Sequence, residues 1–137
     1  MALRESLAEV DLFRDMSSVT INEVVQRGTK FKVGPGRVLV EQGSTDSGLQ
    51  LVLEGSATVS VNGVDVGTLA PGQYFGEISL LDGAPRSATV VAGPDGVQTF
   101  ALSSLSFSDL LDAHPDIARS LLKVLTARIR SIESRQG

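Results

Sequence analysis

The spacing of hydrophobic positions changes twice along the chain. Leu3, Leu7 and Val10 recur at helical intervals and predict a short amphipathic helix. A second helix is expected to follow, with Thr20 and Glu23 at capping-box spacing and Gly28 as its stop. From Thr29 the pattern breaks into short runs rich in Val, Leu and Thr. These are FKV, RVLV, GLQLVLEG, SATVSVNG and VDVGTLAPG, bounded by Gly, Pro or Asn as strands are. Asn62-Gly63 sits between two alternating segments and predicts a two-residue hairpin turn. SATVVAG and VQTFALS add strands on either side of a turn at GPDG. Many short strands, frequent turns and no alternation of strand with helix predict an antiparallel barrel or jelly roll.

Helical spacing returns at Ser104. SLSFSDLLDAH reads as one helix, and Pro115 suits the first turn of the next, PDIARSLLKVLTARIRSIES. In that last helix Ala118, Leu122, Leu125, Ile129 and Ile132 alternate spacings of four and three, a coiled-coil-like seam that Leu121 and Val124 widen. The stripe has more apolar surface than one packing partner needs. Two readings are evenly matched: the whole stripe packs on the barrel, or part of it pairs with a second copy. The expected fold is therefore mainly β with flanking helices: a jelly-roll barrel over 29–103, a helical lead-in over 1–28 and C-terminal helices over 104–137.

Composition narrows the chemistry. At 137 residues the chain has the length of one domain, enough to bury roughly two thirds of its unfolded surface. A net charge of −4 gives no bulk case for nucleic acid or an anionic membrane. Arg119, Lys123, Arg128, Arg130 and Arg135 make the last helix basic, but cations near a helix C-terminus are favourable in any case. There is no cysteine, which excludes disulfides, thiolate catalysis and Cys metal sites. His114 is the one histidine, so no two-histidine metal site can be built and cupin-type catalysis is disfavoured. It reads as a junction residue ahead of Pro115. The acidic N-terminus does not fit a signal peptide, no run reaches membrane-spanning length, and a cytoplasmic protein without metal is expected.

One stretch concentrates the candidate chemistry. QYFGEISLLDGAPRSAT, residues 73–89, is rich in small and apolar residues yet carries Glu77 and Arg86. A structural ion pair is one account. Buried pairs are weak sources of stability, however, so a second account is equally open: each charge addresses a different part of a ligand. Gly72 and Gly76 leave the backbone open to close approach, and residues 77–81 have the pattern of one or two helical turns whose first N–H groups would attract an anion. Arg86 can grip a phosphate or carboxylate with two parallel bonds. A carboxylate tolerates a nearby phosphate if it accepts a hydrogen bond from a hydroxyl on the same ligand, as in a ribose phosphate.

FGEISLLDGAPRSATV, residues 75–90, closely resembles the phosphate-binding cassette of cyclic nucleotide-binding domains. That module is shared by catabolite activator-type regulators, cyclic-nucleotide-dependent kinase subunits and gated channels. VGPGRVLVEQGSTDSGLQLVLEGSATV is similar to the family's first barrel half, with Gly36, Gly43 and Gly55 at turn positions. The resemblance implies a regulatory binding domain rather than an enzyme, with cyclic AMP favoured over cyclic GMP on family-wide frequency. It implies Glu77 at the ribose 2′-hydroxyl, Arg86 at the cyclic phosphate, and Gly76, Ile78, Ser79, Ser87 and Ala88 around the same ligand. For the base it offers Arg128 and Ile132, the hydroxyl pair of the bacterial activator being replaced by Ile132 and Glu133. Ligand closure on the cassette is expected to reposition the C-terminal helix, through which a homodimer is one reading. A scaffold that keeps the fold without binding nucleotide is the rival.

Overall fold

The computed structural model describes residues 3–45, 48–76 and 85–136, with residues 135 and 136 described by backbone alone. Helix α1 spans Leu3–Ala8 and α2 Ser18–Arg27. Six strands follow among the described residues: β1 Thr29–Val33, β2 Val38–Val40, β3 Gly48–Val61, β4 Val64–Leu69, β5 Tyr74–Phe75 and β6 Thr89–Ser103. Helices α3, Ser104–Ala113, and α4, Pro115–Gln136, come after them. Contacts divide it into two compact units, residues 27–107 and residues 1–26 with 108–137. We call them the barrel unit and the helical unit.

The barrel unit is an antiparallel sheet in the order β1-β6-β3-β4, with β2 also on β6 and β5 also on β3. The sequence predicts GLQLVLEG and SATVSVNG as separate strands, whereas β3 runs through Gly55 without a break. Likewise β6 continues through GPDG, the expected turn. Both outcomes have one cause. In the β3–β6 ladder Gly55 faces Val97 and Ala57 faces Ala92, so Gly93 to Gly96 stand opposite Ser56 alone. GPDG is thus an excursion inside one strand, a bulge that bends the ladder while pairing resumes beyond it. On one side of it β6 pairs with β2 at Val90 and Val91, and on the other with β1 from Val97 to Ala101. The long strands thereby serve two halves of the unit.

Apolar residues fill the interior on both sides of the bend. Val40, Ala57 and Val90 form one buried cluster, and Val52, Ala92 and Val97 another, with Leu39 and Leu69 packed against both. Each fully buried aliphatic side chain contributes roughly 1.5–3 kcal/mol. At the tip of β3–β4, Asn62 at φ 53° and Gly63 at φ 80° form the predicted hairpin turn, whose two positive φ angles suit this residue pair. Gly28 does follow the end of α2, for an additional reason. A side chain there would collide with the ring of Phe100.

In the helical unit the cap of α2 lies one turn before the expected one. Ser17 Oγ accepts from Thr20 N at 3.2 Å, and Ile21 N donates to Ser17 O at 3.0 Å, which makes Ser17 the N-cap. Thr20 is buried instead and Glu23 reaches His114, so the Thr20–Glu23 capping box does not form. Along α4 the buried positions are Ile117, Ser120, Leu121 and Val124. The seam turns outward: Leu122 is 66% exposed, Ile129 56% and Ile132 54%. The reading in which the whole stripe is packed away is therefore corrected. Leu121 and Val124, which widen the seam in sequence, are its buried part.

Candidate ligand site

Among the described residues of the barrel unit Arg86 is the buried charge, 6% exposed. It stands three residues ahead of β6, and its backbone is held on both sides. Gly43 N donates to Arg86 O at 2.8 Å, and Arg86 N donates to Ser44 O at 2.9 Å. Its side chain reaches inward, where Nη1 donates to Gly48 O at 3.0 Å. The start of β3, the end of β5 and the lead into β6 therefore meet at one point.

Gly76 completes that point. Its φ is 98°, and a Cβ there would strike the Gly48 carbonyl oxygen and lie 2.6 Å from Arg86 Nη1. Only a residue without a side chain fits between the carbonyl and the guanidinium. The position is built by a strand register, since Phe75 pairs with Gln50 and Tyr74 with Leu51. A cation held at low exposure has a stronger field than one in water, because the surroundings screen it less. A guanidinium presents its N–H groups in a planar fork that matches a phosphate. A buried guanidinium packed against the main chain of Gly48 and Gly76 therefore has the chemistry to meet an anion.

The structure brings Arg86 and Gly76 together, with Ser87 exposed and Ala88 half-buried directly after Arg86. Glu77, Ile78 and Ser79 lie outside the described residues. Arg128 and Ile132 are exposed on α4 and belong to the helical unit. Sequence reasoning missed Gly43, Ser44 and Gly48 as partners of Arg86. Gly48 could have been suspected, since it opens a strand with a residue of low strand propensity.

The helical unit holds a second polar cluster. The Thr20 hydroxyl donates to Asp116 Oδ2 at 3.0 Å, and Ser17 N donates to the same oxygen at 3.3 Å. His114 Nε2 lies 2.8 Å from Glu23 Oε2, and its Nδ1 lies 3.3 Å from Thr20 Oγ1. Burial pushes the Asp116 carboxyl up, but the donors at Ser17, Thr20 and its own backbone N–H, with the nearby His114, outweigh that and leave it below its usual value. Among the described residues no group of three or more His, Asp or Glu is arranged to hold a metal ion, and no helix is long and apolar enough to cross a membrane.

Residues 30–114 match the family described as cyclic nucleotide-binding domain. A cyclic nucleotide-gated potassium channel of Mesorhizobium japonicum is 34% identical over 123 residues, covering 89% of this chain and 34% of the channel. A cAMP-dependent protein kinase regulatory subunit of Yarrowia lipolytica is 36% identical over 103 residues, covering 67% of this chain and 28% of the subunit. This chain thus spans about a third or less of the length of the curated relatives it matches. Among solved structures, the catabolite activator protein of Thermus thermophilus superposes with a TM-score of 0.80 at 26% identity, covering 92% of this chain and 61% of that one. The regulatory domain of a Toxoplasma gondii kinase, crystallised with cAMP, gives 0.78 at 25% identity, covering 90% and 48%.

Proposed function

The chain belongs to the cyclic nucleotide-binding domain family, and on that premise we propose that it is a regulatory sensor for a 3′,5′-cyclic nucleotide, cyclic AMP ahead of cyclic GMP. The observation that carries the reading is the buried Arg86 guanidinium set beside the bare α-carbon of Gly76. Arg86 takes the cyclic phosphate and Glu77 the ribose 2′-hydroxyl. Gly76, Ile78, Ser79, Ser87 and Ala88 line the ligand, chiefly through main-chain N–H groups. Cyclic AMP is put first on family-wide frequency; the relatives include both cAMP-dependent regulatory subunits and cGMP-dependent protein kinases. Arg128 and Ile132 are the positions to substitute when testing recognition of the base. The domain acts by binding rather than catalysis, and closure on the ligand shifts α4. The size of that shift is limited by the ligand's differential affinity for the two states.

Calorimetric titration with cyclic AMP and cyclic GMP tests the reading. Arg86→Ala and Glu77→Ala should each cost about 1.5–3 kcal/mol, roughly a ten- to hundredfold rise in Kd. No binding of either nucleotide at sub-millimolar concentration by the wild type would overturn it. An unmoved α4 between free and bound forms would remove the switch alone.

The exposed seam of α4 favours a second property, homodimerisation. Leu122, Ile129 and Ile132 repeat at coiled-coil spacing on the outward side of the helix. Sedimentation of the wild type against Leu122→Glu and Ile129→Glu tests it, with a monomeric wild type as the contrary result. A dimer that binds neither nucleotide would support the rival reading, a dimerisation scaffold.

A further inference from the structure

The backbone bonds that hold Arg86 come from the short segment after β2, and that segment is itself held from outside. Gln42 N donates to Thr89 Oγ1 at 2.9 Å, one residue before the Gly43 N–H that holds the Arg86 carbonyl. The Gln42 side chain turns the other way, to the tip of the β3–β4 hairpin. Its Nε2 donates to Asn62 Oδ1 at 2.9 Å, and its Oε1 accepts from Asn62 N at 2.8 Å. Both ends of the amide are engaged, and the Asn62 N–H fixes which end is the oxygen. The hairpin tip is a firm anchor for this contact. Asn62 occupies the turn at φ 53°, and Ser60 just before it pairs with Thr89 on β6.

We propose that Gln42, clamped by Asn62, is a positioning residue for Arg86, holding the 42–44 segment so that the guanidinium stays aimed at the ligand. The role rests on the nucleotide reading above. Gln42 and Asn62 are both exposed, so two neutral hydrogen bonds between them add little to folding stability. Their effect is on placement. A segment that samples a second arrangement lowers the fraction of molecules with Arg86 in position, and apparent affinity falls by that fraction. A supporting shell left loose by about an ångström is enough to impair a site built on charge-assisted bonds.

The experiment is titration of cyclic AMP and cyclic GMP against five proteins: wild type, Gln42→Ala, Asn62→Gly, their double variant, and Asn62→Asp. Glycine tolerates the positive φ and removes only the side-chain acceptor, whereas aspartate keeps that acceptor. Gln42→Ala and Asn62→Gly should each raise Kd about three- to tenfold, the double variant no more than the larger single, and Asn62→Asp should bind as the wild type. In an Arg86→Lys background, Gln42→Ala should add less than about twofold, since there is no fork left to aim. A merely structural role would instead lower the unfolding midpoint and weaken binding equally in both backgrounds. If the wild type binds and the two single variants bind equally well, the positioning role is overturned and the nucleotide reading stands. If the wild type binds neither nucleotide, both fall.

Discussion

Arg86 in the barrel unit and Asp116 in the helical unit are both charges drawn inward, yet their surroundings are built from different materials. Asp116 is met mainly by side chains and an N-cap: the Thr20 hydroxyl, the Ser17 N–H and, nearby, His114 with Glu23. Among the described residues Arg86 is framed by main chain: the Gly48 carbonyl, the Gly43 N–H, the Ser44 carbonyl and the bare α-carbon of Gly76. A cluster of mutually complementary side chains satisfies its own charges and ties helices together. The contacts of Arg86 among the described residues tie separate stretches of main chain together around one guanidinium. If the first arrangement serves stability and the second the proposed recognition, substitutions should separate them.

The largest separation is expected at Gly76. An alanine there would hold a side chain at φ 98° and drive its Cβ into the Gly48 carbonyl and the Arg86 fork. Gly76→Ala should lower unfolding free energy by about 1–3 kcal/mol through backbone strain. It should also raise the cyclic nucleotide Kd at least as much as Arg86→Ala does, because it displaces the same guanidinium. Chemical unfolding and calorimetry on one preparation give both numbers. If stability falls while affinity holds, the main-chain frame around Arg86 is structural and the contrast with Asp116 collapses.

What could be read from the sequence follows the same division. Gly76 and Arg86 are ten positions apart in one run, so their pairing has a local signature of glycine spacing and a single base. Asn62-Gly63 was legible for a similar reason, as turn chemistry is decided by neighbouring residues. Thr20 and Asp116 are separated by 96 positions and His114 and Glu23 by 91, and no local pattern announces such contacts. The misplaced cap has this origin. Thr20 has the right spacing to Glu23, but both residues are claimed by tertiary partners at the other end of the chain. The unbroken β6 is a comparable case. GPDG carries turn chemistry, and only the ladder with β3 reveals that pairing resumes beyond it. The fold class was therefore legible from periodicity, whereas the long strands, the outward face of α4 and the Gln42–Asn62 clamp required the tertiary structure.

A smaller effect is expected from Thr20, on the opposite side of the comparison. Thr20→Val keeps the shape and removes the hydroxyl, leaving Asp116 short of one donor and His114 Nδ1 without its Thr20 contact. Unfolding free energy should drop by about 1–3 kcal/mol, the usual result of deleting one partner of a part-buried hydrogen bond to a charged group. The nucleotide Kd should change less than about twofold at a temperature where both proteins are folded. A loss of affinity as large as that of Gly76→Ala would show that the helical cluster serves recognition as well.

The pH dependence is the finest test of the helical cluster. Asp116 sits below its usual value of 3.8 in the folded protein, so across that interval the unfolded chain binds more protons than the folded one. Its contribution to stability is then fully present above the ordinary carboxylate value and is lost as pH falls through the lower folded value. Asp116→Asn removes the charge at every pH while keeping a similar shape. Urea unfolding should show the variant less stable than the wild type near pH 7, with the gap closing below about pH 4, where the wild-type carboxyl becomes protonated as well. A gap that stays constant from neutral to acid pH would mean that Asp116 contributes through shape alone, and the helical cluster would lose its claim to be a charge satisfied by its neighbours.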